Sequence, residues 1–368
     1  MLSFDLPGFL ADVLGAAEQR GDVLLTVGSP PLVKSGDEPM PVVLPGIGRL
    51  TPFQTEAVVL NLLAAAPPAV ATRVRELGAA HFAYSVPGMN RFRASVFSQR
   101  GSFAVVLRTI PGEVPPLHDL GLPGAVGEAC RERAGIVVLC GPAGSGRTTT
   151  AAAMVAEINH TRRCHIVTIE DPIEFLHRHD LAVVNQRQVG IDTPSLAVGL
   201  SDALRQGAQV VVASEAHSPE EARLVLEVAE TGHLVLTTVR GLDTASGLVR
   251  LLSLFGPDER ADARMRLARV LRAVFTQRLL PHRDGRQPVV EVWRPTRGAV
   301  RLLEEGLLDS TAFADVLRDG EAEGSVPFDR ELERRVRAGL LEPDAALAAA
   351  VLPRQLELRL QDVYGGGR

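Results

Sequence analysis

A chain of 368 residues is longer than one typical domain of about 100 to 200, and its 46% hydrophobic and 23% charged residues are ordinary for a globular protein, which excludes a disordered or fibrous class. A net charge of −5 with a pI near 6.0 provides no basic face for a polyanion, so no nucleic-acid partner is expected. Three cysteines without a CxxC pair, no secretory leader after Met1 and no apolar run of spanning length predict a cytoplasmic protein with only peripheral membrane contact.

In chain order, LPGFLADVLGAAEQR has helical spacing and closes at Gly21, and DVLLTVGSPPLVKSGDEPMPVV reads as short strands with Gly/Pro turns. Residues 52–77 are again helical. HFAYSVPGMNRFRASVFSQRGSFAVVLRTIP gives three period-2 runs separated by PGMN and QRGS turns, the pattern of antiparallel strands. Prolines and glycines crowd the stretch from Pro111 to Pro123 and mark a linker. Beyond it the apolar runs GIVVLC, HIVTIE, LAVVN, VVVASE and HLVLTT alternate with helical patterns, as in a buried and mainly parallel sheet. The tail from about Gly306 is helical and ends in GGGR. The expected division is residues 1–112, a linker 113–125, a core 126–295 and a helical region 296–368.

The strongest motif is GIVVLCGPAGSGRTTTAAAMVAEI, in which a strand runs through GPAGSGRTT into a helix with the spacing of a Walker A loop. Gly141, Pro142, Ala143, Gly144, Ser145, Gly146, Arg147, Thr148 and Thr149 would cradle phosphate with backbone N–H groups and the positive end of the helix, and Thr148 has the position for Mg²⁺. Arg147 stands where lysine is usual. Lys34 is the only lysine, so 38 of the 39 basic residues are arginine. Glu170 and Asp171 directly follow an apolar strand, at the sheet edge where α/β proteins bind ligands.

HIVTIEDPIEFLH resembles the Asp box of the type II/IV secretion ATPases, AETGHLVLTT resembles their His box, and VVVASEA lies where their Walker B strand would be. With RFRASVFSQRG, RTIP and LFGPDER, most of residues 1–295 is similar to the type IV pilus retraction (twitching motility) branch of that family. The resemblance implies an α/β protein with an N-terminal PAS-like α+β domain, a RecA-like P-loop NTPase core and a helical C-terminal tail. It implies ATP and Mg²⁺, and a ring that is a homo-hexamer or a hetero-oligomer with a related ATPase. It also implies an inner-membrane pilus platform protein as partner, with the ring cytoplasmic and peripheral to that membrane. By the same resemblance Glu170 polarises water, Glu215 holds Mg²⁺ through water, and His233 senses the γ-phosphate. Arg91, Arg93, Arg100 and Arg108 are sent toward the nucleotide of a neighbouring core, with Arg93 and Arg108 the best matches. Departures are Arg147, Gln209 for a strand-start aspartate, Ser214 for glycine, His217–Ser218 for Arg–Asp, and Arg240 for the second His-box histidine. They imply a weak ATPase or, alternatively, a nucleotide-binding pseudo-ATPase paralogue that regulates or joins an active ring. AVRLLEEG is a shortened echo of the retraction family's AIRNLIREG.

Overall fold

The computed structural model describes residues 4–17, 21–35, 38–89, 91–110, 113–282 and 285–361. Asn90 of the PGMN turn, Pro111 and Gly112 of the expected linker, and the GGGR end lie outside the described residues. The chain divides into two compact units, one of Met1–Glu113 with Asp171–Leu176 and Gln188–Asp192, the other of Val114–Glu170, His177–Arg187 and Thr193–Arg368. The two short excursions from the second stretch of chain into the first unit have no counterpart in the sequence reading.

The first unit contains α1 (Leu6–Ala16), β1 (Asp22–Leu25), β2 (Leu32–Ser35), β3 (Glu38–Pro41), α2 (Pro52–Ala65), α3 (Pro68–Leu77), β4 (Ala79–Ser85), β5 (Arg91–Gln99) and β6 (Ser102–Ile110). Its six strands form one antiparallel sheet in the order β3-β2-β1-β6-β5-β4. Local chemistry sets the helix ends: Asp5 accepts from Gly8 N at the start of α1, and Thr51 and Gln54 form a capping box ahead of Pro52. Alternation in β5 buries Phe92, Ala94 and Val96 against Leu10, Val58, Leu62 and Phe82. The opposite face carries Arg91 and Arg93. Arg93 and Arg108 are cross-strand partners on β5 and β6.

The second unit contains α4 (Gly124–Ala129), β7 (Gly135–Cys140), α5 (Arg147–Thr161), β8 (His165–Glu170), β9 (Val183–Gln188), α6 (Leu196–Arg205), β10 (Val210–Ala213), α7 (Pro219–Glu230), β11 (Leu234–Val239), α8 (Thr244–Ser253), α9 (Arg260–Val270), β12 (Leu271–His282), β13 (Gly285–Trp293), α10 (Arg297–Glu305), α11 (Ser310–Asp319), α12 (Phe328–Arg337), α13 (Pro343–Ala349) and α14 (Pro353–Arg359). Its sheet order is β13-β12-β7-β11-β10-β8-β9, with β12, β7, β11, β10 and β8 parallel and β13 antiparallel to β12. β7 and β10 are buried along their whole lengths, as strands covered on both faces must be. On one face α4 and α5 pack through Val126, Met154, Val155 and Ile158 onto Val137, Leu139, Val212 and Phe275. On the other, Gly199 of α6 sits so close to Ile169 that a Cβ there would lie 2.7 Å from it.

Three details differ from the sequence reading. Val183, in the run LAVVN whose pattern predicts a buried strand, is half exposed, because β9 lies at the end of the sheet and alternates instead of being covered on both sides. The long pair β12 and β13 was not foreseen: α9 passes into β12 with no loop, and ARMRLARVLRAVF keeps helical spacing through the junction. The expected linker is packed, with Leu117 and Leu122 against the core of the second unit and Arg335 Nη2 donating to Gly121 O at 2.9 Å.

β12 works on both faces. Phe275 and Gln277 face α5, while Leu280 joins Val289, Phe328, Leu332 and Leu356 in the core of the C-terminal helices. Arg278 donates to Leu242 O at 3.1 Å and to Ala349 O at 2.7 Å, and lies 4.2 Å over the Phe328 ring.

Candidate functional site

β7 ends at Cys140 and α5 begins at Arg147, with the glycine-rich loop between them. Gly146 caps α5 at φ +89°, and a Cβ there would lie 2.7 Å from Gln277 Nε2. At Gly141 a Cβ would lie 2.4 Å from Gln277 O. Gln277 of β12 is thus the floor of the loop, and its Oε1 accepts from Thr150 Oγ1 at 2.8 Å. Nothing local in sequence marks Gln277, which is 127 positions from Thr150. Gly146 O takes the Thr150 N–H, so the preceding amides of Arg147, Thr148 and Thr149 open α5 without helical carbonyl partners, the arrangement that binds phosphate.

Parallel register aligns the ends of β7, β10 and β11, pairing Cys140 with Val239 and Ala213 with Thr237. Glu215 follows β10 and Arg240 follows β11 on that edge. Arg240 Nε donates to Glu215 Oε1 at 3.0 Å and to Oε2 at 2.9 Å, and Arg250 Nε of α8 donates to Oε1 at 3.2 Å. Arg147 Nη1 stands 3.6 Å from Oε2, beyond hydrogen-bond reach, so that contact is Coulombic. Burial alone would raise the Glu215 carboxyl, but the hydrogen bonds and charge of Arg240 and the charge of Arg147 outweigh it and hold the group below the ordinary glutamate range. Burial pulls the Arg147 guanidinium down, and Glu215 opposes that pull. Arg250 was missed by the sequence reading, because its part is visible only once α8 lies beside Glu215.

Glu170 ends β8 on the same sheet edge. Thr168 Oγ1 donates to Glu170 Oε1 at 2.6 Å, and Gln186 Nε2 of β9 donates to the same oxygen at 3.0 Å. Gln186 Oε1 in turn accepts from His177 N at 2.8 Å. Two donors on one oxygen fix the carboxylate plane, a task that suits a group orienting water.

Other expected residues are placed elsewhere. His233 precedes β11 and its carbonyl accepts from Gly135 N at 2.9 Å, at the starting edge of the sheet. The six residues of β11, at about 3.3 Å each, separate it from the loop by about 20 Å, so His233 is not brought to the phosphate site of its own core. Gln209 lies on that starting edge too, accepting from His165 N at 2.6 Å, and is not a change in the site. Ser218 forms a capping box with Glu221 at the start of α7, a task that serine and aspartate fill equally. In the first unit Arg93 Nη1 meets Glu174 Oε1 at 3.1 Å, Arg108 Nε meets Asp22 Oδ2 at 3.1 Å, and Arg91 donates to Ser85 Oγ and Ile173 O. Arg100 occupies the QRGS turn at φ +47°.

The Mg²⁺ implied by the resemblance fits this edge badly. Thr148 is the second residue of α5, but both oxygens of Glu215 already accept from Arg240, and two further guanidiniums surround them. A dication there would meet positive charge on three sides.

A glycine-rich loop joining a buried parallel strand to a helix, with carboxylates along the same sheet edge, defines a P-loop nucleotide-binding protein with a RecA-like core. The profile of the type II/IV secretion system protein family matches residues 88–301. The type IV pilus ATPase PilU of Pseudomonas aeruginosa is 33% identical over 345 residues, 92% of this chain and 87% of PilU. The type IV pilus retraction ATPase PilT of the same organism is 30% identical over 347 residues, 94% of this chain and 98% of PilT. A crystal structure of the pilus retraction motor PilT with bound ADP superposes with a TM-score of 0.84 at 32% identity, covering 96% of this chain and 99% of that one. The chain belongs to the type IV pilus retraction ATPase family, within the type II/IV secretion system proteins.

Proposed function

We propose that this protein is a slow motor ATPase of the pilus retraction type, binding ATP on the loop Gly141–Thr149 and orienting the attacking water with Glu170. The observation that carries the reading is the loop itself, set at the head of α5 and floored by Gln277. The clamp of Thr168 and Gln186 on Glu170 supports the catalytic part. Arg147 supplies charge to the phosphates, but its planar head approaches them differently from a lysine ammonium, and turnover is slowed accordingly.

The working form is a ring of six copies, or a mixed ring with a related ATPase, acting on a pilus platform protein at the inner membrane. Among the described residues no helix is long and apolar enough to cross a membrane. Arg93 and Arg108, side by side on the first unit, are offered to the nucleotide of a neighbouring copy.

Phosphate release and nucleotide binding measured on one preparation test the proposal. Glu170→Gln should keep ATP affinity near wild type and abolish hydrolysis; equal loss of binding would show Glu170 to be structural. Light scattering with an ATP analogue should give a ring mass, and a monomer at every concentration would refute the ring.

A further inference from the structure

The residues around Glu215 form a second pattern that the family resemblance did not assign. Arg240 and Arg250 donate to its carboxylate, and Arg147 stands 3.6 Å away, so three guanidiniums surround one acid. Two positive charges are left in excess, the charge carried by one Mg²⁺ ion. Their place beside the loop is fixed by backbone pairing: Gly141 N donates to Val239 O at 3.2 Å, and Gly241 N to Gly141 O at 3.4 Å. Arg240 lies between those two bonded residues. The guanidinium charge is permanent, because arginine does not deprotonate in proteins, and its fork matches phosphate oxygens two at a time.

We propose that this site binds nucleotide without Mg²⁺, with Arg147, Arg240 and Arg250 supplying the charge that neutralises the phosphates. The proposal rests on the reading of Gly141–Thr149 as a nucleotide loop and goes beyond it in assigning Arg240 and Arg250 to phosphate. Glu215 then has a different task from holding metal: it is the counter-charge that keeps the three guanidiniums together and yields them to the phosphates.

The two assignments of Glu215 predict opposite signs. If it holds metal, Glu215→Gln weakens binding in Mg²⁺ and does nothing in chelator. As a competing counter-charge, it weakens wild-type binding in chelator, and its removal tightens it.

The experiment is titration of the full chain with a fluorescent ATP analogue, once in Mg²⁺ and once in EDTA, with thermal melts of each variant as the folding control. Dissociation constants in the two buffers should agree within about threefold, and Glu215→Gln should bind more tightly in EDTA. Arg240→Ala with Arg250→Ala should weaken binding in EDTA by about tenfold or more, and the paired lysine substitutions should recover part of that loss. Binding that falls by about tenfold or more when Mg²⁺ is removed would overturn the proposal while leaving the nucleotide loop intact. Absence of binding in both buffers would overturn the nucleotide reading as well.

Discussion

Replacing Gln186 with alanine isolates the orientation of Glu170 from its presence. The change removes one of the two donors on Glu170 Oε1, at 3.0 Å, and leaves the His177 N–H without its 2.8 Å partner, while the 2.6 Å bond from Thr168 remains. A hydrogen bond to a charged group is worth about 1.5–3 kcal/mol. If that sum is expressed at the transition state, kcat falls by a factor of about 10 to 150, because each 1.36 kcal/mol is tenfold. KM and nucleotide affinity should move far less, since the ground-state phosphates are held by the loop. Steady-state phosphate release across a range of ATP concentrations gives the split between kcat and KM. Thr168→Val should produce a loss of the same kind, and the double variant should exceed the sum of the two, since either donor alone still limits the carboxylate's rotation. A loss of nucleotide affinity as large as the loss in kcat, or a lowered melting temperature with kcat unchanged, would refute positioning through Glu170 and make Gln186 a loop support.

Arg147→Lys should raise kcat if the rest of the site is in order, by up to the several hundred-fold that about 3–4 kcal/mol of misplaced charge costs; no gain in phosphate release would place the limit at Arg240 and Arg250. Gly146→Ala must hold a side chain at φ +89°, which costs about 1–2 kcal/mol, and must also push Gln277 Nε2 from 2.7 Å, so melting temperature and nucleotide affinity should both drop. Gly144→Ala, at φ +75° with no atom within 4 Å of the added carbon, should show the backbone cost alone, and equal effects of the two would refute the role of Gln277 as floor. Glu291 is fully buried on β13, and burial raises its carboxyl despite hydrogen bonds from Thr244 N and Oγ1. The folded state therefore holds that proton more tightly than the unfolded one, and stability is lost as pH rises from the ordinary glutamate range through the raised value. Melts from about pH 5 to about pH 8 should show Glu291→Gln gaining on the wild type, and a constant difference would mean equal titration in both states.

The phosphate loop was legible because its requirements are local: glycines at positive φ, a buried strand before them and a helix after them. Glu170 was legible for the same reason, as a carboxylate that directly follows an apolar strand. Its donor Gln186 was not, because that side chain reaches it from another strand, whereas Thr168 stands two residues earlier on the same one. The separation of His233 from the loop of its own core was not legible in the motif, which names residues without their places along a strand. The His box spans a whole strand, so its two ends lie on opposite edges of the sheet, and counting the six residues from Leu234 to Val239 separates His233 from Arg240. Gln209, read as a strand-start residue, does stand immediately before β10, and what the sequence does not show is that this end of the sheet faces away from the loop. The convergence of Arg147, Arg240 and Arg250 on one carboxylate is a product of sheet order and helix placement, and in a chain whose basic residues are nearly all arginine no single position announces it.

β12 has neighbouring residues that serve opposite clients: Gln277 supports the phosphate loop, and Arg278 fastens the strand to Leu242, Ala349 and Phe328. Local melting of the terminal helices would therefore release the strand from behind and loosen the loop in front, as one cooperative opening unit. Amide exchange along Thr276, Gln277 and Arg278 becomes a two-sided gauge, slowed by nucleotide on one face and quickened by truncation of the chain ahead of Phe328 on the other. The C-terminal helices, which touch no residue of the phosphate loop in the contacts described, would then tune nucleotide affinity through the rigidity of a single strand.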